Sequence, residues 1–215
     1  MKEAIKPFIK LSILSFLAGI MIALGALCNL VALSVGEKFI GSLLFSFGLF
    51  FVFLFELKLF TGMVANAINM KAIEWYQLAV CFVFNAIGII FICALAKYSS
   101  IGDSIEIISR NIMDKKFDAG WQNALFSSML CGMLITIAVI GYQRAKERNL
   151  SSNIAVMLPV VVFVYLELDH SVANWAYIYL SASWSLEMVG YVLLTIIGNI
   201  IGGILIPICF KLIKN

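Results

Sequence analysis

Charge is what this chain has least of: 13% of its 215 residues are Asp, Glu, Lys or Arg, too few to give a soluble globule of this size a water-compatible surface. Histidine occurs once, at His170, so a metal site built on several histidines is excluded. The five cysteines, Cys28, Cys81, Cys93, Cys131 and Cys209, stand singly inside apolar runs with no C-x-x-C pair. That spacing excludes a zinc ribbon or a redox dithiol and leaves them as small packing residues. Neither a G-x-S-x-G elbow nor a phosphate-binding glycine loop is present. Asp169 and His170 are adjacent and would leave a helix on different sides, so a catalytic Asp–His pair is not the reading either. No enzyme chemistry, metal or other cofactor is implied. The net charge of +3 comes from short basic patches, so a nucleic-acid-binding face is also set aside.

What fills the chain instead is apolar sequence, 63% of residues, with a mean hydropathy of +1.04, and this composition marks an integral membrane protein in contact with lipid. A membrane span needs roughly 20 mainly apolar residues. Spans are expected at about 12–35, 75–97, 121–142 and 187–210, with two further apolar regions at 39–70 and 154–181. The whole chain, 1–215, reads as a single transmembrane channel domain of six segments. Residues 1–11 read as an interfacial amphipathic helix, with Lys2, Lys6 and Lys10 interleaved with Ile5, Phe8 and Ile9. This N-terminal stretch lacks a convincing small-x-small cleavage site, so it is expected to be retained rather than removed as a signal peptide. Residues 12–97 form a first repeat, 98–120 a polar connecting loop and 121–215 a second repeat.

The second and fifth segments are abnormal in matching ways. FELKLFTG puts Glu56 and Lys58 at membrane depth, and YLELDHS puts Glu167, Asp169 and His170 there. A charge at the bilayer centre costs about 2.5–3.5 kcal/mol on insertion scales, so such residues face a bundle interior or a watery cavity. Interrupted segments at corresponding places point to broken helices around a central site. Both breaks lead into Val-Ala-Asn, ending at Asn66 and Asn174, and Asn85-Ala-Ile-Gly88 is echoed by Asn199-Ile-Ile-Gly202. Three segments per half is an odd number, so the halves enter the membrane from opposite sides as an inverted 3+3 repeat. The distribution of lysine and arginine favours both termini in the cytoplasm of a plasma-membrane protein. A helix that begins inside the membrane offers free N–H groups to anions, and Thr61 and His170 would face one another across a narrow passage.

LFTG, DHSVAN, the glycine-rich outer spans FLAGIMIALGA and GNIIGGIL, and the six-segment plan together resemble the formate/nitrite transporter family of small-anion channels, over nearly the whole chain. The resemblance implies an all-α, aquaporin-like fold, a homopentamer with one pore per protomer, and a small inorganic or organic ion as the permeant. The paired Asn-Pro-Ala motifs of water and glycerol pores are missing, since the only prolines are Pro7, Pro159 and Pro207. By the same resemblance Phe60 and Phe163 match pore constrictions, Leu59 and Thr61 belong to the loop that contacts the histidine, His170 is the central pore histidine that mediates protonation, and Asn174 lies one helical turn after it.

Three residues depart from the family pattern. Lys58 stands where the family commonly has Glu, Glu167 where it commonly has a small residue, often Gly, and Asp169 replaces Glu. The opposite charges of Lys58 and Glu167 lead to the expectation that they form a buried ion pair across the pore. An added carboxylate beside His170 leaves two permeants open, a weak-acid anion or a small cation such as ammonium together with its neutral form.

Overall fold

The computed structural model describes residues 2–214; the side chains of residues 1–5, Ile73, Lys214 and Asn215 lie outside it, and with them Lys2 and Ile5 of the expected amphipathic helix. Helix α1 runs Lys2–Ser34, α2 Lys38–Leu54, α3 Phe60–Val64, α4 Trp75–Lys97 and α5 Gly102–Asp118. The chain continues with α6 Gly120–Glu147, α7 Ser152–Tyr165, α8 Asn174–Ser181 and α9 Leu186–Lys214. Among the described residues four helices, α1, α4, α6 and α9, are long and apolar enough to cross a membrane. The 17 residues of α2 and 14 of α7 reach only about 25 and 21 Å at 1.5 Å per residue, short of the roughly 30 Å hydrocarbon core.

Two expectations about segment boundaries change. Residues 2–11 are not a separate surface helix but the uninterrupted start of α1; Pro7, in its second turn, forfeits one ladder bond through its missing N–H. Residues 102–118, expected as loop, are helix α5. Its composition is hydrophilic, yet Ile105, Ser109 and Met113 are buried at helical spacing while Asp103, Arg110, Asp114 and Lys115 stay exposed. One narrow apolar face is enough to seat it on the bundle, where it packs on α1 and α8, and Lys97 ties its first half to the end of α4 through Glu106 at 2.8 Å.

Helices α2 and α7 end in the same way. The N–H of Leu57 bonds Val52 O at 2.9 Å and that of Glu56 bonds Phe53 O at 3.1 Å; at the other end Leu168 bonds Phe163 O and Glu167 bonds Val164 O, each at 3.0 Å. This paired arrangement satisfies the last carbonyls only if one residue turns left-handed. Glu56 and Glu167 take that conformation, at φ 53° and 56°.

The outer helices pack in two close pairs, α1 on α4 and α6 on α9. Glycine permits both contacts. A Cβ on Gly88 would lie 2.2 Å from Phe16 O, and one on Gly202 would lie 1.9 Å from Met129 O. Without an apolar-solvent penalty to drive helices together in lipid, such backbone approach supplies the contact energy.

Candidate functional site

The segments after α2 and α7 are each held by one buried asparagine. Asn85 on α4 accepts the Phe60 N–H at 2.9 Å and donates to Lys58 O at 3.0 Å and Ser15 O at 2.7 Å. Asn199 on α9 accepts the Ser171 N–H at 2.8 Å and donates to Asp169 O at 2.9 Å and Ser128 O at 2.7 Å. Each amide therefore supplies partners that the interrupted backbone has lost, and staples its loop to a long helix. These bonds pair Glu56 with Glu167, Lys58 with Asp169 and Phe60 with Ser171. That register differs by three residues from the Val-Ala-Asn match, and the sequence signal that follows it is Phe55-Glu-Leu-Lys58 against Leu166-Glu-Leu-Asp169.

Between the two segments Thr61 Oγ1 and His170 Nε2 meet at 2.9 Å, both 2% exposed. The second ring nitrogen, Nδ1, accepts the Ala173 N–H at 2.9 Å. That bond assigns the neutral tautomer with its proton on Nε2, donating to Thr61, and leaves the Thr61 hydroxyl hydrogen unspent. The Phe163 ring stacks on the imidazole with centroids 5.5 Å apart and 14° between planes. Phe60 is equally buried but packs edge-on to Phe82 at 5.2 Å, and Leu59, 3% exposed, precedes it in extended conformation. Asn66 is not brought to this pair; it is exposed and opens the turn after α3.

Asp169 turns its side chain away from His170. Its Oδ1 takes the Lys116 ammonium, the Tyr191 hydroxyl and, at 3.3 Å, the Asn174 amide, while Asn174 also bonds Tyr191 at 2.7 Å. The backbone N–H of Asp169 donates to Ser127 Oγ at 3.0 Å. Three elements, α5, α8 and α9, converge on one buried carboxylate, and α6 holds its backbone through Ser127. Lys116 and Tyr191 were invisible to sequence reasoning as members of this group, although the helical periodicity of 105–117 would have put Lys116 on the buried face of α5.

The expected Lys58–Glu167 pair does not form. Glu167 bonds Lys38 at 2.7 Å and Lys115 at 3.4 Å, whereas Lys58 is exposed and its backbone N–H contacts Leu14 O at 3.4 Å. Leu14 lies early in α1 and Lys38 just past its end. The helix from Leu14 to Ser34 is about 30 Å long, so the Lys58 backbone and Lys38, the partner of Glu167, lie at well-separated levels of the bundle. On the Glu167 side a cavity of about 660 Å³ opens, lined by Lys38, Lys115, Lys116, Glu167, Phe163 and His170 among others.

Four long apolar helices, two short ones that end in loops, and a buried hydroxyl–imidazole pair whose histidine lines a lysine-bearing cavity define a multi-pass membrane transport protein. The family model for the formate/nitrite transporter matches residues 1–213, and the chain belongs to that family. An uncharacterized transporter, YrhG, of Bacillus subtilis (strain 168) is 29% identical over 229 residues, covering 94% of this chain and 84% of the relative. A probable formate transporter of Methanothermobacter thermautotrophicus is 24% identical over 248 residues, covering 94% and 88%. Among solved structures, a pentameric formate channel with formate bound superposes with a TM-score of 0.78 at 20% identity, covering 97% of this chain and 98% of that one. An FNT family ion channel gives 0.82 at 20% identity, covering 99% and 92%. The fold is theirs, and the relatives are transporters and channels rather than enzymes.

Proposed function

We propose that this chain is a channel for small monovalent weak-acid anions of the formate, nitrite and hydrosulfide class. It works as a homopentamer in the plasma membrane with both termini cytoplasmic. In this reading α2 with α3 and α7 with α8 are two broken crossings of an inverted 3+3 repeat, a view supported by the matched bonds of Asn85 and Asn199. The pentamer is inferred from likeness to the pentameric formate channel.

The observation that carries the proposal is the buried Thr61–His170 pair, whose histidine lines the cavity. Three lysines and one glutamate line that cavity, and with Asp169 held against Lys116 the local balance is +3 − 2 = +1, which favours an anion over ammonium. A bare anion meeting Phe163 and Phe60 would lose its water, an idealised cost of order 20 kcal/mol before relaxation. Desolvation raises the anion's own proton affinity, so it crosses as the neutral acid. Placing that proton on His170 Nδ1 would set one N–H against the Ala173 N–H. His170 therefore stays neutral, the proton comes from water in the cavity, and Thr61 with His170 supplies hydrogen bonds to the acid in transit.

The test is formate influx into proteoliposomes with lumenal pH recorded. Formate entering as formic acid acidifies the lumen, and Thr61→Val slows the entry. Ammonium-dependent signals without formate uptake would overturn the anion reading.

A further inference from the structure

Glu167 is held in a costly backbone conformation for a modest structural return. Its φ of 56° is one that glycine adopts without strain and glutamate does not, and glycine would close the same helix end. What glutamate adds is a carboxylate, and that carboxylate bridges Lys38 on α2 and Lys115 on α5, at 2.7 and 3.4 Å. The Glu167 side chain is 49% exposed and the lysines 41% and 75%, so these pairs are wet and contribute little to stability. Glu56 shares the conformation but has no ion pair among the described residues. Only at Glu167 does the strained residue deliver its charge into a cavity, between two cations that line it. Strain kept at a cavity mouth directs attention to chemistry rather than packing.

We propose that Lys38 and Lys115 form a carboxylate-binding site at the mouth of the cavity, and that the Glu167 side chain occupies it as a tethered competitor. The ligand class follows from the occupant: a group with one negative charge shared by two oxygens already sits between the two ammonium groups, and a free monocarboxylate offers the same head. Glu167 is then a specificity-determining residue, setting how concentrated an external carboxylate must be before it displaces the side chain. This rests on the anion reading above, and it assigns the recruiting step to residues apart from Thr61 and His170.

The experiment is a titration of the full-length protein in detergent with ¹³C-formate, read by NMR line broadening at low ionic strength, beside formate influx in proteoliposomes. In Glu167→Gln and Glu167→Gly the broadening per protomer should rise several-fold and shrink again with added salt. Adding Lys38→Gln and Lys115→Gln to Glu167→Gln should return it to the wild-type level or below. Broadening in Glu167→Gln equal to wild type, or a rise that survives loss of both lysines, overturns the site. Elution of each variant as the wild-type oligomer shows that folding is not the cause. In influx, both Glu167 variants should halve or further lower the half-saturating formate concentration. If wild type admits no formate while the binding gain is present, the transport reading fails and the site stands; if wild type admits formate and the half-saturating concentration is unchanged in both variants, the site fails and the transport reading stands.

Discussion

Replacing Asn199 with alanine removes an amide that makes three hydrogen bonds from a position 1% exposed. Ser128 O lies inside α6 and keeps its place in that helix ladder. The Ser171 N–H and Asp169 carbonyl belong to the interrupted segment and are left without that partner in apolar surroundings. Each orphaned group costs ~1–3 kcal/mol, while hydrogen bonds within membrane bundles measure nearer ~0.6 kcal/mol because the unfolded chain also finds partners. A loss of about 2–4 kcal/mol for the two together is the expectation from these bounds. Asn85→Ala removes the corresponding set, bonds of 2.9, 3.0 and 2.7 Å to Phe60, Lys58 and Ser15, and should fall in the same range. Unfolding by SDS in mixed micelles, followed by tryptophan fluorescence, measures both. Asn199→Asp should retain part of the stability by keeping the acceptor for Ser171. The reasoning is refuted if either alanine variant unfolds within about 0.5 kcal/mol of wild type, the scatter of an ordinary surface substitution.

Three further outcomes are expected. Thr61→Val deletes the acceptor for His170 Nε2 and should slow formate influx at least ~10-fold, with Thr61→Ser restoring most of it, since one hydrogen bond to a polar permeant carries on the order of 1.4 kcal/mol. Gly202→Ala places a methyl 1.9 Å from Met129 O, which must separate α6 from α9; a loss of ~1–3 kcal/mol in the same SDS titration is expected for such overpacking. A double-mutant cycle of Lys58→Gln with Glu167→Gln should give a coupling no larger than ~0.5 kcal/mol, as for distant sites, and a larger value would reinstate a direct interaction.

The membrane class follows from composition, a sum over residues that needs no geometry. The ends of α2 and α7 were marked by Glu56 and Glu167 inside apolar runs, because a charge there is costly wherever the chain goes. Helix α5 was hidden by its polar composition: averaging over 102–118 masks the buried line of Ile105, Ser109 and Met113. The register of the segments after α2 and α7 was misplaced because Val-Ala-Asn is common apolar sequence, whereas Glu-Leu followed by a charge coincides with the left-handed helix end at both places.

What the sequence alone determined about this protein is therefore what depends on local chemistry, namely how much of it must avoid water, where α2 and α7 end, and that Thr61 and His170 are polar groups just beyond those ends. Which charges meet was decided only by the tertiary structure. Lys116 reaches Asp169 across 53 residues, Glu167 finds Lys38 and Lys115, and Lys58 lies beside Leu14 in the first half of α1. Opposite sign brings two residues together only if their helices end at the same side of the bundle, and that side is fixed by how the long helices pack, information that no short stretch of sequence contains.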